Sequence, residues 1–272
     1  MRPSFLRVLA PWMATIAIVS LAAPAASQPM MGPPGKTGGT GDWAIFLGGG
    51  VGIGPTFEGS DKYRVMPIPL ISVVWRDMVS FDASGVNAYW RFEDLQIGAG
   101  VTYNLGRSTD DSFFGQGDSR LAGLGDVPAT VGIRAFANYR LGPLLFGTSI
   151  TKFFLQGNDG LLIDAGIGMP FRITDRLMVS GRIATTWADG NYMRNFFGVT
   201  AAQSAASGFA PYNATSGLKD ISLSLGVQYQ ITTQWSVSTN VRFTQLLSSA
   251  KDSPISFADR SVLGMLMVGY RF

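Results

Sequence analysis

The sequence predicts an all-β protein: a transmembrane antiparallel up-and-down β-barrel of about twelve strands, with ten strands as the alternative. Segments of about 10 to 14 residues alternate apolar with small or polar side chains, which is the length of a tilted bilayer crossing. The connections between these segments are alternately tight and long, as in barrels with short periplasmic turns and longer outer loops. A soluble β-sandwich also alternates, but its strands are usually shorter.

The N-terminal residues 1–26 are predicted to be a cleaved signal peptide. Arg2 and Arg7 form its positive start, an apolar stretch covers 8–23, and Ala23-Pro24-Ala25 provides a cleavage site. The apolar stretch is shorter than the ~20 residues of a membrane-spanning helix. Residues 27–42, rich in glycine and proline, are predicted to form a flexible periplasmic tail, and residues 43–272 the barrel.

The first strand contains the unusual stretch FLGGGVGIG at 46–54. Its glycines do not fit the spacing of a dinucleotide-binding fingerprint, and no helix pattern follows. Gly48, Gly50, Gly52 and Gly54 instead share one face of a strand, with mostly apolar residues on the other. We expect these glycines to face the lumen and to leave room for larger side chains opposite.

Eleven alternating segments can be recognised, whereas bacterial single-chain barrels normally have an even number of strands. The alternation of turn lengths is consistent from residue 95 to the C-terminus, so the discrepancy lies earlier in the chain. Splitting 78–91 at 82–85 gives twelve strands, and ten result if one early segment lies outside the wall. The two faces of 144–156 cannot be assigned from the pattern. The segments are 43–54, 64–75, 78–91, 95–106, 127–140, 144–156, 160–172, 177–188, 220–231, 235–247 and 261–272.

Aromatic residues lie at the predicted strand ends, where a barrel carries its interfacial girdles. Those beside the tight turns form the predicted periplasmic girdle, and those at the opposite ends belong to the outer one. The periplasmic set is Tyr139, Phe171, Tyr229, Trp235, Tyr270 and Phe272, and the outer set is Tyr103 and Trp187.

The composition argues against enzyme chemistry. The chain has no cysteine and no histidine, which excludes thiol catalysis, histidine-based zinc sites and a Ser-His-Asp triad. Glu58, Asp61 and Asp82 lie in or near loops and are interpreted as solvated side chains, not as a glycosidase pair. No basic patch indicates nucleic-acid binding. We therefore expect no catalytic residue, no cofactor and no metal.

Charged residues on the predicted lumen face are the candidate functional residues of the barrel. Arg134, Arg172, Arg182 and Arg242 are predicted to line the lumen, and Asp164 is the clearest acidic partner. One interpretation is an interior packed by arginine–carboxylate pairs and loops. The other is a narrow passage that prefers anions.

The predicted outer loop at 189–219 is much longer than an ordinary hairpin loop and contains its own apolar residues. Long loops of this kind are usually folded and functional. Phe196, Phe197, Val199 and Tyr212 are therefore predicted to pack together over or into the barrel mouth.

Four stretches resemble the MipA/OmpV family of outer-membrane proteins: FEGSDKYRVMPIPL (57–70), RLAGLGDV (120–127), NFFGVTAAQSAASGFAPYNATSGLKD (195–220) and LLSSAKDSPI (246–255). The resemblance implies a barrel in the outer membrane of a Gram-negative cell, in contact with outer-membrane lipid. It also implies a scaffold that links a lytic murein transglycosylase with a murein synthase. Other members are described as pores or adhesins, so a pore and a ligand-binding surface barrel stay as alternatives.

The last strand, MLMVGYRF, resembles the C-terminal signal that the barrel assembly machinery recognises. Tyr270 and the terminal Phe272 provide its alternating aromatic residues. The glycine that usually accompanies them is displaced, because Met267 occupies the usual position and Gly269 follows it. We expect Phe272 to act in assembly, not in any later activity.

Overall fold

The structure, a computed structural model, describes residues 42–111 and 116–272. The predicted signal peptide, and the predicted tail except for Asp42, lie outside the described residues. Twelve antiparallel strands close into one barrel, in which each strand pairs with its neighbours along the chain and β1 pairs with β12. The twelve-strand prediction is confirmed and the ten-strand alternative is wrong. The strands are β1 (Trp43–Pro55), β2 (Tyr63–Trp75), β3 (Val79–Asp82), β4 (Gly85–Phe92), β5 (Leu95–Asn104), β6 (Thr130–Leu141), β7 (Leu144–Leu155), β8 (Asn158–Arg172), β9 (Leu177–Ala188), β10 (Gly217–Gln230), β11 (Trp235–Leu246) and β12 (Arg260–Arg271).

Short turns join the strands at the end that carries Trp43 and Phe272, which is the periplasmic end, and most of the longer loops lie at the opposite, outer end. The outer loops contain the helices α1 (Gly190–Phe197), α2 (Ala201–Ser207) and α3 (Ser248–Lys251), and a 3₁₀ turn at Ser119–Leu121. Within the part of the chain that the structure describes, no helix is long and apolar enough to cross a membrane.

The segment 78–91 is indeed split into two short strands, β3 and β4. Asp82 and Ser84 form the turn between them, because the Asp82 carboxylate accepts hydrogen bonds from the backbone N–H and the hydroxyl of Ser84 (2.7 and 2.6 Å). At Gly85, with φ of 116°, a Cβ would lie 2.0 Å from the Val101 carbonyl oxygen, so only glycine fits. The two strands of this hairpin are short. As a result, β3 pairs with β2 only at Val73–Trp75.

The alternation of side chains separates an apolar outside from a small and polar inside. Along β10, for example, Leu225 on the outside is 48% exposed, whereas Ser224 on the inside is 5% exposed. The structure also assigns the faces of β7: Ser149 and Thr151 are buried inside, while Ile150 is exposed on the outside. The exposed apolar face is the surface that a lipid bilayer would cover.

The four lumen-facing glycines of β1 lack a side chain for two different structural reasons. A Cβ on Gly48 or Gly50 would lie 2.1 or 2.0 Å from carbonyl oxygens of β12, so these glycines allow the close approach of the two strands that close the barrel. A Cβ on Gly52 or Gly54 would instead meet a side chain of a neighbouring strand, such as Ile68 at 2.8 Å from Gly52. The predicted reason, room for larger side chains opposite, therefore applies only to Gly52 and Gly54.

Candidate functional site: a capped lumen lined by arginines

The outer end of the lumen is filled by loops that we call the cap: residues 56–62, 105–111, 116–129, 189–216 and 247–259. Helix α1 lies against the inner wall, with Tyr192, Met193, Phe196 and Phe197 all buried. The cap has two apolar clusters. The first is Val127, Phe153, Leu162, Ala188, Tyr192, Met193, Phe196, Phe197, Ala214, Leu246 and Ala250; the second is Phe57, Leu121, Leu124, Val199 and Ile255.

Tyr212 joins the two clusters of the cap. Its ring packs against both, and its hydroxyl donates a hydrogen bond to the Ser249 carbonyl oxygen at 2.9 Å. Val199 and Tyr212 also exchange backbone hydrogen bonds, each of 2.8 Å. Of the four loop residues singled out from the sequence, Phe196 and Phe197 therefore lie in the first cluster, Val199 lies in the second, and Tyr212 contacts both.

A buried ion cluster ties the cap to the barrel wall. Lys219 is 1% exposed, and its ammonium lies 2.8 Å from Glu58 Oε1 and 2.6 Å from Asp220 Oδ2. The Tyr192 hydroxyl donates to Glu58 Oε2 at 3.5 Å, and burial together with the Glu58 charge raises the pKa of Tyr192 well above its usual range. The phenol therefore stays a proton donor, and the cluster links the first loop, α1 and β10.

A β-bulge explains why Lys219 points inward. Strict alternation would place it on the same face as Ile221, towards lipid, but the pairing of β10 with β9 shifts register between Leu218 and Asp220. The extra residue turns both Lys219 and Asp220 to the inside. The sequence interpretation missed this residue, and it also treated Glu58 as solvated. The sequence interpretation had placed Lys219 at the end of the outer loop 189–219, outside the predicted strand 220–231, so the pattern gave no signal for it.

Arg107, in the loop after β5, contacts the C-terminal end of α1. Its side chain is buried, and Nη1 donates to the Phe196 carbonyl oxygen at the C-terminus of α1 (2.6 Å). Such a contact satisfies a carbonyl that has no partner inside the helix and complements the helix dipole. Burial lowers the pKa of Arg107 to about 10, opposed by Asp126 and Glu58, so the group remains charged at neutral pH.

Asp118 connects two loops of the cap. Its fully buried carboxylate accepts hydrogen bonds from Lys62 Nζ (3.2 Å) and Arg120 Nη2 (2.8 Å). Burial opposes ionisation, but the bonds from Arg120 and Lys62 hold the pKa of Asp118 well below its usual range. Arg120 also pairs with Asp61 at 2.8 Å, so Asp61 is an ion-pair partner on the surface.

Three arginines occupy the middle of the lumen. Arg134 Nη2 donates to Asn87 Oδ1 (3.0 Å), and Arg242 Nε donates to Ser224 Oγ (3.1 Å). Ser224 is the register partner of both Arg182 on β9 and Arg242 on β11, so these two arginines flank one position. The Arg182 guanidinium lies beside Gly166, where a Cβ would be only 2.9 Å from Nη2.

Arg134 and Arg182 do not pair with Asp164, the acidic partner expected from the sequence. Asp164 instead accepts hydrogen bonds from the hydroxyls of Thr186 (2.8 Å) and Ser149 (3.2 Å). Among the described residues, no carboxylate lies within 4.0 Å of the guanidinium of Arg134 or Arg182. Their Nε atoms are buried and have no hydrogen-bond partner in that part of the chain. The middle of the lumen therefore carries two buried arginines whose Nε donors are not used by the described protein atoms.

The remaining predicted residues lie at the periplasmic end. Arg172, one of the lumen-lining candidates, is the last residue of β8 and is exposed at the periplasmic rim. Tyr270 stacks edge-on with Trp235 and with Phe272, at centroid distances of 5.0 and 4.8 Å. The backbone N–H of Phe272 donates to the Ile45 carbonyl oxygen at 3.0 Å, which joins the C-terminus to β1.

Comparison with known proteins gives a family and a set of similar barrels. The family model described as "MltA-interacting protein MipA" matches residues 47–272. The MltA-interacting proteins of Escherichia coli (strain K12) and Shigella flexneri are each 29% identical over 128 residues, 46% of this chain and 50% of theirs. The match thus spans about half the length of these curated relatives. Among solved structures, the NanC porin (TM-score 0.44, 9% identity, 85% of this chain and 100% of that chain) and OmpT of Vibrio cholerae (0.39, 8%, 85% and 97%) are similar.

Proposed function

Because this chain belongs to the MltA-interacting protein MipA family, we propose that this outer-membrane barrel is a non-enzymatic scaffold that holds a murein transglycosylase at its periplasmic face. The observation that carries the proposal is the packing of loop residues into the outer end of the lumen. A pore needs a continuous water path, whereas α1 and the buried cluster of Glu58 and Lys219 occupy the mouth of this barrel. A scaffold needs no such path, and a barrel whose outer end is packed with loops is a suitable membrane anchor.

The periplasmic turn between β2 and β3 is the best candidate for the partner-binding surface. Arg76 and Asp77 both have left-handed backbone conformations, with φ of 50° and 54°, which cost non-glycine residues energy and are often found at functional sites. The turn is nevertheless well held. Arg76 pairs with Asp42 at 3.0 Å and lies 5.0 Å from the centroid of the Trp75 ring, and Asp77 forms an ion pair with Arg91. An exposed, charged and rigid turn suits protein recognition.

A binding measurement tests the scaffold. The refolded full-length barrel is immobilised in detergent, and a lytic murein transglycosylase from the same bacterium is passed over it. We expect specific binding, and we expect the double variant Arg76→Ala/Asp77→Ala to weaken it about tenfold, as for a residue pair at the centre of an interface. Arg176→Ala, at the exposed turn between β8 and β9, is the matched control and should bind normally. No binding by the unaltered barrel would refute the proposal.

A pore is the second candidate, because the arginines at the middle of the lumen favour anions. Single-channel recording in planar bilayers separates the two functions. The scaffold predicts no steady conductance for the unaltered barrel, and opening only when residues 191–215 are replaced by a short glycine-serine linker. The pore predicts steady, anion-preferring conductance of the unaltered barrel, and reversal of that preference in the double variant Arg182→Glu/Arg242→Glu.

A further inference from the structure

The barrel wall has a gap in its outer half, which we call the window. β3 pairs with β2 only at Val73–Trp75, so no strand in residues 42–111 or 116–272 pairs with the edge of β2 from Tyr63 to Ser72 on that side. On the far side of the window, β4 pairs with β5 only as far as Val101. The β3–β4 turn at residues 83–84 is the lower border. At the top, residues 105–111 lead from β5 into the cap.

The sequence of β2 is adapted to a free edge. Within a sheet, proline is confined to positions whose nitrogen points away from a paired neighbour, because it has no N–H to donate. The Ile68 carbonyl oxygen lies 3.5 Å from the position of a Cβ on Gly49 in β1, so it points towards β1. Pro67 and Pro69 therefore turn their nitrogens towards the window. Because proline has no backbone N–H, this edge presents two fewer hydrogen-bond donors, which hydrocarbon could not have satisfied.

The lumen wall next to the window is apolar in its middle part, with Arg64 and Ser72 at the two ends of the same face of β2. On β2 the inward-facing residues include Met66, Ile68 and Leu70, and Met66 is 6% exposed. Leu70 also contacts the strand beyond β1, because a Cβ on Gly269 would lie 3.1 Å from Leu70 Cδ2. The inward face of β12 continues the surface with Leu263, Met265 and Met267. Methionine and leucine side chains of this kind adapt to flexible apolar ligands.

Arg134 lies at the lower border of the window. Its Nη2 donates to the Ser84 hydroxyl in the β3–β4 turn (3.3 Å) and to Asn87 Oδ1 on β4 (3.0 Å). The residue is 4% exposed, and its buried Nε has no hydrogen-bond partner among the described residues. Asp82 is in the same turn, but its Oδ1 accepts two hydrogen bonds from Ser84. One border of the window therefore carries a buried cation with a free donor, and the adjacent wall is apolar.

We propose that the lumen binds an anionic amphiphile of the outer membrane, which enters sideways through the window. Its acidic headgroup binds Arg134, and its acyl chain lies along the apolar wall of β2 and β12. A membrane amphiphile fits better than a soluble anion for two reasons. The described cap residues pack across the outer end of the lumen, and the window lies in the wall that faces the lipid. The proposal is independent of the scaffold, since neither needs the other.

Photocrosslinking tests the proposal with the whole refolded barrel in neutral phosphatidylcholine vesicles. The probe is a fatty acid with a diazirine near the end of its chain, and a second probe carries the same chain on a neutral alcohol. After illumination, mass spectrometry identifies the labelled residues. We expect the acid to label inward-facing Met66, Ile68 and Met265 in addition to outward-facing Val65 and Leu266. The neutral probe should label only the outward-facing pair.

Substitutions at Arg134 test the headgroup site. Arg134→Gln should lower labelling of the inward-facing residues about tenfold and leave the outward-facing labels unchanged, because a charge-assisted hydrogen bond is lost. Arg134→Lys keeps the charge and should retain most of the inward labelling. Arg140→Gln, at the exposed periplasmic end of the same strand and face, is the matched control and should behave like the unaltered barrel. Heat-modifiable migration on gels verifies that each variant is folded.

Several outcomes would overturn the proposal. One is labelling confined to outward-facing residues with both probes, and another is equal inward labelling by the neutral probe. Inward labelling that persists in folded Arg134→Gln would remove the arginine from the site. If millimolar inorganic phosphate abolishes the inward labels as completely as Arg134→Gln, the arginine site takes a soluble anion and the sideways route is wrong. None of these results depends on whether the barrel binds a transglycosylase.

Discussion

Replacement of Lys219 by methionine is expected to release the cap from the barrel. The substitution keeps an unbranched side chain of similar length but removes a charge that lies 2.8 Å from Glu58 and 2.6 Å from Asp220. Removing one partner of a buried ion pair costs ~3–5 kcal/mol, because the other charge is left buried without compensation. Cap opening lets Glu58 return to water, so the open fraction should rise by roughly a hundredfold or more.

Hydrogen exchange measured by mass spectrometry on the folded barrel is the assay, with the backbone amides of α1 as the readout. Lys251→Met is the matched control: Lys251 is 52% exposed and lies 4.0 Å from Asp259, and such surface pairs contribute only ~0–1 kcal/mol. We expect much faster exchange in Lys219→Met and normal exchange in the control. Exchange should slow again in part in Lys219→Met/Glu58→Gln, because position 58 then carries no buried charge that lacks a partner. Unchanged exchange of α1 in Lys219→Met would refute the role of the ion cluster.

Three further predictions concern closure, assembly and pH. Gly50→Ala should lower the melting temperature of the barrel, because the added Cβ would lie 2.0 Å from a carbonyl oxygen of β12. Gly49→Ala is the control, because its Cβ would make only an ordinary contact at 3.5 Å. Equal melting temperatures of the two variants would contradict this prediction. Deletion of Phe272 should lower the amount of heat-modifiable barrel in the outer membrane, and an unchanged yield would count against it. The pKa of Asp118 in the folded barrel lies below its unfolded value of about 3.9. The ionised Asp118 carboxylate therefore stabilises the fold above about pH 4, and this stabilisation is lost as the pH falls below that value. Proteolysis of the cap should therefore increase below about pH 4 in the unaltered barrel but change less in Asp118→Asn, and equal pH profiles would exclude Asp118.

Much of the fold was predictable because each strand carries the pattern of its own environment. In β10, the alternation of Leu223 and Leu225 with Ser222 and Ser224 is local, and it indicates lipid on one side and the lumen on the other. The predicted split at 82–85 was also confirmed, because Asp82 and Gly85 have the turn chemistry of a tight hairpin. The faces of β7 could not be predicted, because the polar Thr148 and Lys152 lie on its outer face and the apolar Phe153 lies on its inner face, where it packs under the cap.

The candidate site was less accessible to sequence reasoning. The pattern predicted arginines at inward positions of mid-strand, but it could not show that the Asp164 carboxylate would accept hydrogen bonds from Ser149 and Thr186. The free edge of β2 had a local signal in Pro67 and Pro69. Its meaning depends on where β3 ends, which is a property of the neighbouring strands.

The sequence by itself determined the barrel, its twelve strands within a narrow range and its family, because side-chain alternation, turn length and short motifs are encoded within a few residues of one another. Only the tertiary structure decided how the barrel is closed and what its lumen contains. Lys219 turns inward through a bulge that exists only in pairing with β9, and it meets Glu58, which is 161 residues away along the chain. Closure of the barrel brings these residues together and removes them from water, and that burial makes their charges interact strongly.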